Sequence, residues 1–400
     1  MIPPLRVVPP SPAQLEADRE APFLAYFGGE PDALALGTSA CGLGIIVEDG
    51  VSRVAGSRQQ LESLAAELDS RGAGSGRYLR RYFEPVLAWK LRTRELALDR
   101  PRIMGILNVT EDSFSGDGVG GDPSQAIRQA DGLREAGADI IDIGAESARA
   151  DRPVRDAKEE AVTVARVVEA LVNEGHLVSV DTYKVEVARA GLDAGAEIVN
   201  DISGLTAGTG AAGAAAAADA GYVLNYSHSV PKRRPETPPV YRDVVIETVA
   251  WMFARAEQLR ACGLHDEQIA IDPGIAFGKS HDEDLQVLRR IGEMRSLGLP
   301  LLLAHSRKNF IGSVTGRAPA ERDLETHIVS SLAFAQGVRI FRVHDVAGTR
   351  RALEIAAALG AAERGEYRPD SESWPWSARA SASHVSGAPP DRDAPKGQRW

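Results

Sequence analysis

Acidic, amide and cationic residues recur in this chain directly after short apolar runs. Asn108 follows Ile103–Leu107, and Glu146-Ser147-Ala148-Arg149 follows Asp139–Ile143. Asp181-Thr182, Asn200-Asp201 and Asn225-Tyr226-Ser227-His228 close three more runs. Asp272-Pro273-Gly274, His305-Ser306-Arg307-Lys308 and the pair Arg342 and His344 close the last three. One polar residue at the end of a strand needs no function. So many together do, because the core of a strand barrel is filled mainly by branched apolar side chains. The types divide by chemistry. Asp181, Asn200 and Asp272 carry carboxylate and amide groups that suit a flat heterocycle with several N–H donors. Arg342, His344, Arg149 and Asn108 suit an anion. Neither a Ser–His–Asp relay nor a dense His/Cys/carboxylate cluster stands out. The chemistry implied is that of an enzyme binding a polar heterocycle joined to a phosphate group.

These residues need a scaffold that brings strand ends to one face. Between Ile103 and Leu359 strand-like and helix-like segments alternate. The strands are read at 103–107, 139–143, 177–180, 198–199, 222–226, 268–271, 299–304 and 339–343. The helices between and after them are read near 123–133, 158–173, 184–194, 211–220, 242–262, 282–297, 323–336 and 346–359. Eight such units predict an α/β fold of the (β/α)8 TIM-barrel type, whose strand ends share one face. The first unit opens on the long polar loop Asn108–Gly118, where a barrel enzyme keeps chemistry. GxGxxG, the dinucleotide fingerprint, is absent after the first strand.

Residues 1–98 are read as a small N-terminal α/β extension of unknown role, 99–364 as the barrel, and 365–400 as a disordered tail rich in Pro, Ser, Ala, Asp and Arg. Within the extension, Leu43–Val47 reads as a strand, and Ser57 to Gln60 as a capping box opening a helix with Leu61, Leu64, Ala65 and Leu68 on one face. Tyr78–Leu91 reads as a further helix despite Pro85. A net charge of −10 excludes a general attraction to nucleic acid or acidic membranes. The two cysteines, Cys41 and Cys262, lack the spacing of a zinc site or a disulfide framework. No run reaches the ~20 apolar residues of a membrane helix, and the proline-broken start is a poor signal peptide. A cytoplasmic protein is the expectation.

MGILNVTEDSFSGDG, DIGAESAR, SVDTYK, NDISG, DPGIAFGKS, SRKNFIG and RVHDV, in this order, resemble the signature segments of dihydropteroate synthase over about residues 101–362. The resemblance implies a transferase of folate biosynthesis that condenses 6-hydroxymethyl-7,8-dihydropterin diphosphate with 4-aminobenzoate. By position it implies that Asp181, Asn200 and Asp272 hold the pterin and that Lys308 donates to its edge. Arg342, His344 and Asn108 would hold the diphosphate, with Mg2+ bridging it at Asn108. Asp112, Lys308 and Arg149 would be catalytic, Asp112 by stabilising a cationic pterin methylene. Phe114, Ser306 and Arg307 would meet the aminobenzoate. Homodimer formation and sulfonamide sensitivity are further implications.

Three departures bear on turnover. Ala148 and Ala150-Asp151 replace a Thr and a Pro-Gly turn, Glu111 replaces a proline, and Leu224-Asn225-Tyr226-Ser227 replaces a Leu-Met-His-Met-like run. They leave room for a pterin-binding paralogue with another amine substrate or little turnover. A pterin-binding methyltransferase domain or a non-catalytic interaction protein is disfavoured. The first has no diphosphate for Arg342 and His344, and the second has no need of Asp112, Arg149 and Lys308 together.

Overall fold

Short antiparallel strands build the first part of the chain. The computed structural model describes residues 5–8, 23–28, 31–48, 51–84, 86–109, 121–146, 154–229 and 239–363. Strands β1 (Leu5–Val8), β2 (Phe23–Gly28), β3 (Ile45–Glu48) and β4 (Val51–Gly56) form a sheet in the order β1-β2-β4-β3. Val7, Ala25, Phe27 and Val54 turn inward from it. They meet helices α1 (Pro31–Ala40), α2 (Arg58–Ser70) and α3 (Gly74–Phe83) through Leu34, Leu61, Leu64, Leu68 and Leu79. The Ser57–Gln60 capping box opens α2 as anticipated. Sequence reading found a strand near β3 but neither β1, β2 nor β4; the short runs of β1 and β2 lie among prolines. The helix expected over Tyr78–Leu91 ends instead at Phe83. Glu84 precedes Pro85 and is extended, at φ −88° and ψ 126°, because a following proline disfavours the helical region.

The chain then makes a hairpin, β5 (Ala88–Lys90) with β6 (Glu95–Ala97). Trp89, Leu91, Leu96 and Leu98 pack against Met104, Ile140, Ile198, Val223, Ala270, Leu302 and Ile340. Trp89 is fully buried and donates its indole N–H to the Gln268 carbonyl at 2.8 Å. The hairpin therefore plugs one end of the ring of strands that follows, although a division at residue 98 would group it with the first unit.

That ring comprises β7 (Arg102–Asn108), β8 (Ile140–Gly144), β9 (Val178–Asp181), β10 (Ile198–Asp201), β11 (Gly221–Asn225), β12 (Ile269–Asp272), β13 (Leu302–Ala304) and β14 (Ile340–Val343). All pair in parallel in the order β12-β11-β10-β9-β8-β7-β14-β13, and the bridge Ile271↔Leu301 closes the circle. Around it run α4 (Pro123–Ala136), α5 (Ala157–Asn173), α6 (Val185–Asp193), α7 (Gly210–Ala217), α8 (Val244–Ala261), α9 (His281–Arg289), α10 (Asn309–Thr315), α11 (Asp323–Ala335) and α12 (Val346–Glu363). This is the (β/α)8 barrel the alternation predicts. Some details differ from the sequence reading, which did not include the short helix α10. The helix expected over 282–297 breaks at Arg290 into a tighter 3-10 turn, Ile291–Leu297. The seventh strand begins only at Leu302, after Pro300, which has no N–H to give a ladder. Among the described residues, no helix is long and apolar enough to cross a membrane. The expected tail lies outside the described residues.

Candidate active site

The parallel strands are mainly apolar and most change character where they leave the ring. β9, β10 and β12 end on Asp181, Asp201 and Asp272, and Asn200 precedes Asp201. β7 ends on Asn108, and Arg342 is the third residue of β14. A parallel ring puts all these ends on one face.

The centre of that face is an ionic network. Arg342 Nε donates to Asp142 Oδ2 at 2.5 Å, and its Nη2 donates to Asp181 Oδ2 at 2.7 Å. Asn200 Nδ2 donates to the same Asp142 oxygen at 3.1 Å. Two carboxylates thus share one guanidinium. Burial, with the Asp142 charge nearby, pushes the Asp181 carboxyl up to about 7, against the pull of Arg342. The two acids in turn raise the Arg342 pKa despite its burial. Asp142 is 0 % exposed and its Oδ1 has no hydrogen-bond partner among the described residues. Gly144, at the end of β8, leaves the space above this network open. A Cβ there would lie 3.7 Å from Asp181 Oδ2 and 3.8 Å from Asn108 Oδ1.

Asp272 forms a second centre. Its Oδ1 accepts from Gly274 N at 2.8 Å and its Oδ2 from Ala304 N at 3.1 Å. Burial raises its pKa, while Lys308 and the two N–H donors lower it. Lys308 Nζ donates to the Ile275 carbonyl at 2.6 Å and is pulled below its ordinary value by burial. Lys279 lies alongside, donating to the carbonyls of Pro273 and Gly274 at 2.9 and 3.2 Å. Its ammonium sits 3.5 Å from the centre of the Tyr226 ring, and burial pushes its pKa down to about 7. Tyr226 itself bonds His228 and Tyr241.

A third group borders β13 and β14. Ser306 Oγ and His344 Nδ1 are 2.9 Å apart, and His344 N donates back to Ser306 Oγ at 3.2 Å. Arg307 has a left-handed backbone, φ 59°, and its fork is bidentate on Asp323 at 2.7 and 2.8 Å. The residues on either side of positions 147–153 are fixed as well. Glu146 Oε2 accepts from Arg155 N at 2.8 Å. Lys184 Nζ joins Glu146 at 2.5 Å, Glu160 at 2.6 Å and the Arg155 carbonyl at 2.9 Å.

Asp181, Asn200 and Arg342 therefore meet in one network, Asp272 and Lys308 in an adjoining centre, and Ser306 bonds His344. Asn108 faces the gap over Gly144. Arg307 is held by Asp323. Asp112, Phe114 and Arg149 lie outside the described residues. Sequence reading missed Asp142 and Lys279. The signal for Asp142 was present, a lone acid inside the apolar run Ile140–Ile143; Lys279 was visible in DPGIAFGKS but carried no assigned role.

A family model described as pterin binding enzyme matches residues 104–344. The dihydropteroate synthase of Mycobacterium leprae is 36% identical over 269 residues, 66% of this chain and 95% of that protein. The crystal structure of Thermus thermophilus dihydropteroate synthase in complex with 4-aminobenzoate superposes with a TM-score of 0.60 at 36% identity, covering 68% of this chain and 99% of that one. The Burkholderia cenocepacia enzyme complexed with 7,8-dihydropteroate gives a TM-score of 0.64 at 35% identity, covering 70% and 99%.

Proposed function

Because the chain belongs to the pterin binding enzyme family, we propose that it is a dihydropteroate synthase. It would join 6-hydroxymethyl-7,8-dihydropterin diphosphate to 4-aminobenzoate, giving 7,8-dihydropteroate and pyrophosphate. The observation that carries this reading is the meeting of Asp181, Asn200 and Arg342 beside Asp272 and Lys308 on one face of the barrel.

Each side chain has a task that follows from its surroundings. The Asp272 oxygens each accept one backbone N–H and keep lone pairs for the ring N–H and amino group of the pterin. Those donors favour the carboxylate and offset the burial that raises its pKa. Lys308 leaves the Ile275 carbonyl to donate to the pterin edge, and Asn200 and Asp181 hold the rest of the ring. Arg342, anchored by Asp142, and His344, oriented by Ser306, receive the diphosphate. The C–O bond to the diphosphate breaks first, its electron pair leaving with pyrophosphate. The aminobenzoate nitrogen then bonds to the methylene and gives up a proton. Asp112 stabilises the cationic methylene between the two steps. Phe114, Arg149 and Ser306 meet the second substrate, and Arg307 reaches it only by releasing Asp323.

Asn108 is our candidate ligand for Mg2+. Its amide oxygen accepts no hydrogen bond among the described residues and faces the open space over Gly144. Among those residues no group of three or more His, Cys, Asp or Glu could hold a metal. One protein oxygen with substrate phosphates and water fits the way Mg2+ is commonly held. When bound, the ion supplies positive charge to the departing pyrophosphate.

A second copy of the chain is the further partner. Leu324, Ile328 and Leu332 form an exposed stripe on α11, and Ile355 and Leu359 another on its neighbour α12. Apolar stripes of this kind favour a partner surface over water. Sedimentation of a homodimer that Ile328→Glu makes monomeric is the expected result; a wild-type monomer at micromolar concentration refutes it.

The sequence departures at Ala148 and Ala150-Asp151, where the resemblance puts a Thr and a Pro-Gly turn, favour a second reading, a paralogue taking another amine. Purified protein given both substrates decides. Pyrophosphate release that requires 4-aminobenzoate and Mg2+ supports the synthase. Pterin diphosphate binding without aminobenzoate-dependent product points to the paralogue, and no pterin binding sinks both.

A further inference from the structure

The loop 273–279, which leaves β12 behind Asp272, wraps round one side chain, Tyr226 just after β11. Tyr226 is 1 % exposed, with the rings of Trp251 and His228 centred 4.8 and 5.0 Å away. The loop grips it twice. At its far end the Lys279 ammonium lies over the Tyr226 ring, 3.5 Å from the centre, and from there donates to the carbonyls of Pro273 and Gly274 at 2.9 and 3.2 Å. At the hydroxyl end Tyr226 bonds Tyr241, which donates onward to the Gly278 carbonyl at 3.2 Å. The backbones also touch. Tyr226 N donates to the Asp272 carbonyl at 2.9 Å, and a Cβ on Gly274 would lie 2.1 Å from the Tyr226 carbonyl oxygen. Gly274, Ala276 and Gly278 have positive φ, 64°, 67° and 74°. For an alanine that region is uncommon, and a backbone bent in this way persists only where its surroundings hold it.

The groups offered to a heterocycle hang on this loop. Asp272 Oδ1 takes the Gly274 N–H, and Lys308 Nζ rests on the Ile275 carbonyl. Lys308 gives up that carbonyl when it turns to a ligand, whereas the Lys279 contacts to Pro273 and Gly274 can stay. Lys279 forms no ion pair among the described residues; Asp272 and Asp284 act on it only at longer range. Its ammonium is committed to the ring face and the two carbonyls, and a desolvated cation over an aromatic ring is a favourable seat.

We propose that Lys279, seated on Tyr226, is a positioning residue for the heterocycle site. It holds the turn 273–275 so that Asp272 and Lys308 converge on the pterin. Lys279 acts through those two residues and touches no substrate itself, and the assignment rests on the synthase reading given above.

Calorimetry with the pterin diphosphate, alongside steady-state turnover and a thermal melt, tests it. Lys279→Met should weaken binding of the pterin diphosphate at least about tenfold and raise its KM by a similar factor, with KM for 4-aminobenzoate within about twofold of wild type. A merely structural role would lower the melting temperature without that split. Tyr226→Leu should have the same effect, and the double variant should bind no more weakly than the weaker single one, because both changes break one contact. Lys279→Arg keeps a cation for the ring and carbonyls and should recover part of the affinity. Tyr226→Leu leaves the lysine in place and decides the matter should Lys279→Met fail to fold. Wild-type affinity in either single variant, or losses that add in the double variant, overturns the proposal alone. Wild type that binds no pterin diphosphate overturns the synthase reading and this assignment with it.

Discussion

Asp142→Asn is the sharpest perturbation of the ionic network. The substitution keeps the shape of the side chain and removes one of the two negative charges facing Arg342. Asp142 Oδ2 now accepts from both Arg342 and Asn200, at 2.5 and 3.1 Å. Hydrogen bonds to charged groups contribute about 1.5–3 kcal/mol each. If the Arg342 contact weakens by that much in the transition state, kcat/KM falls roughly ten- to hundredfold. Stability should not follow. The orphaned Asp142 Oδ1 becomes an amide with no better and no worse partner, and the repulsion between Asp142 and Asp181 disappears. The Asp142 charge helps hold the Asp181 carboxyl near 7, so the ionisation at about that pH should move to lower pH in the variant. The assays are steady-state turnover with both substrates across pH and a thermal melt. A kcat/KM within about twofold of wild type, with the ionisation unmoved, refutes the claim that Asp142 positions Arg342.

Asp181→Asn should change the pH dependence of stability. The Asp181 carboxyl lies at about 7 when folded, against an ordinary value of 3.8, so its contribution is full below about pH 4 and is lost as pH rises to about 7. The variant should match wild type in urea melts at the acid end and exceed it at pH 8; equal stability at both pH values contradicts this. Lys184→Met leaves Glu146 and Glu160 facing each other in a buried site, and should cost about 3–5 kcal/mol. The loss should be smaller at pH 5 than at pH 8, because burial already raises the Glu160 pKa, and Lys184→Arg should restore part of it in chemical denaturation. Trp89→Ala should cost about 3–5 kcal/mol of stability while leaving KM for both substrates unchanged. A shifted KM in the folded variant would show that the plugged end and the polar face are coupled.

The barrel was legible because each unit carries its own signal. Apolar runs such as Ile140–Ile143 and capped helices such as Pro123–Ala136 behind Asp122 are set by residues close in sequence. The gathering of Asp181, Asn200 and Arg342 was legible for the same reason, since a closed parallel ring converts strand ends into neighbours. Pairings between distant side chains were not. Nothing local marks Asp323 as the partner of Arg307, or Asp142 as the anchor of Arg342 across 200 positions. The first unit was read least well. Its strands β1 and β2 become strands only by pairing with each other and with β4, and short segments of that kind have little periodicity of their own.

The ring of strands has one thin seam. β12 and β13 are joined by the single bridge Ile271↔Leu301, with Ile271 N donating to the Pro300 carbonyl at 2.9 Å. Beyond it the stitch is a side chain, Asp272 Oδ2 accepting the Ala304 N–H. The group offered to a ligand is thus also a rivet of the wall. Replacing Asp272 with alanine unfastens the ring and blunts recognition at one stroke, whereas asparagine can keep its carbonyl on the Ala304 N–H only by turning its NH2 toward the Gly274 N–H, a donor facing a donor. The seam also makes acidity at this position hard to lose, because any drift that spoiled the contact with a heterocycle would loosen the cylinder in the same step.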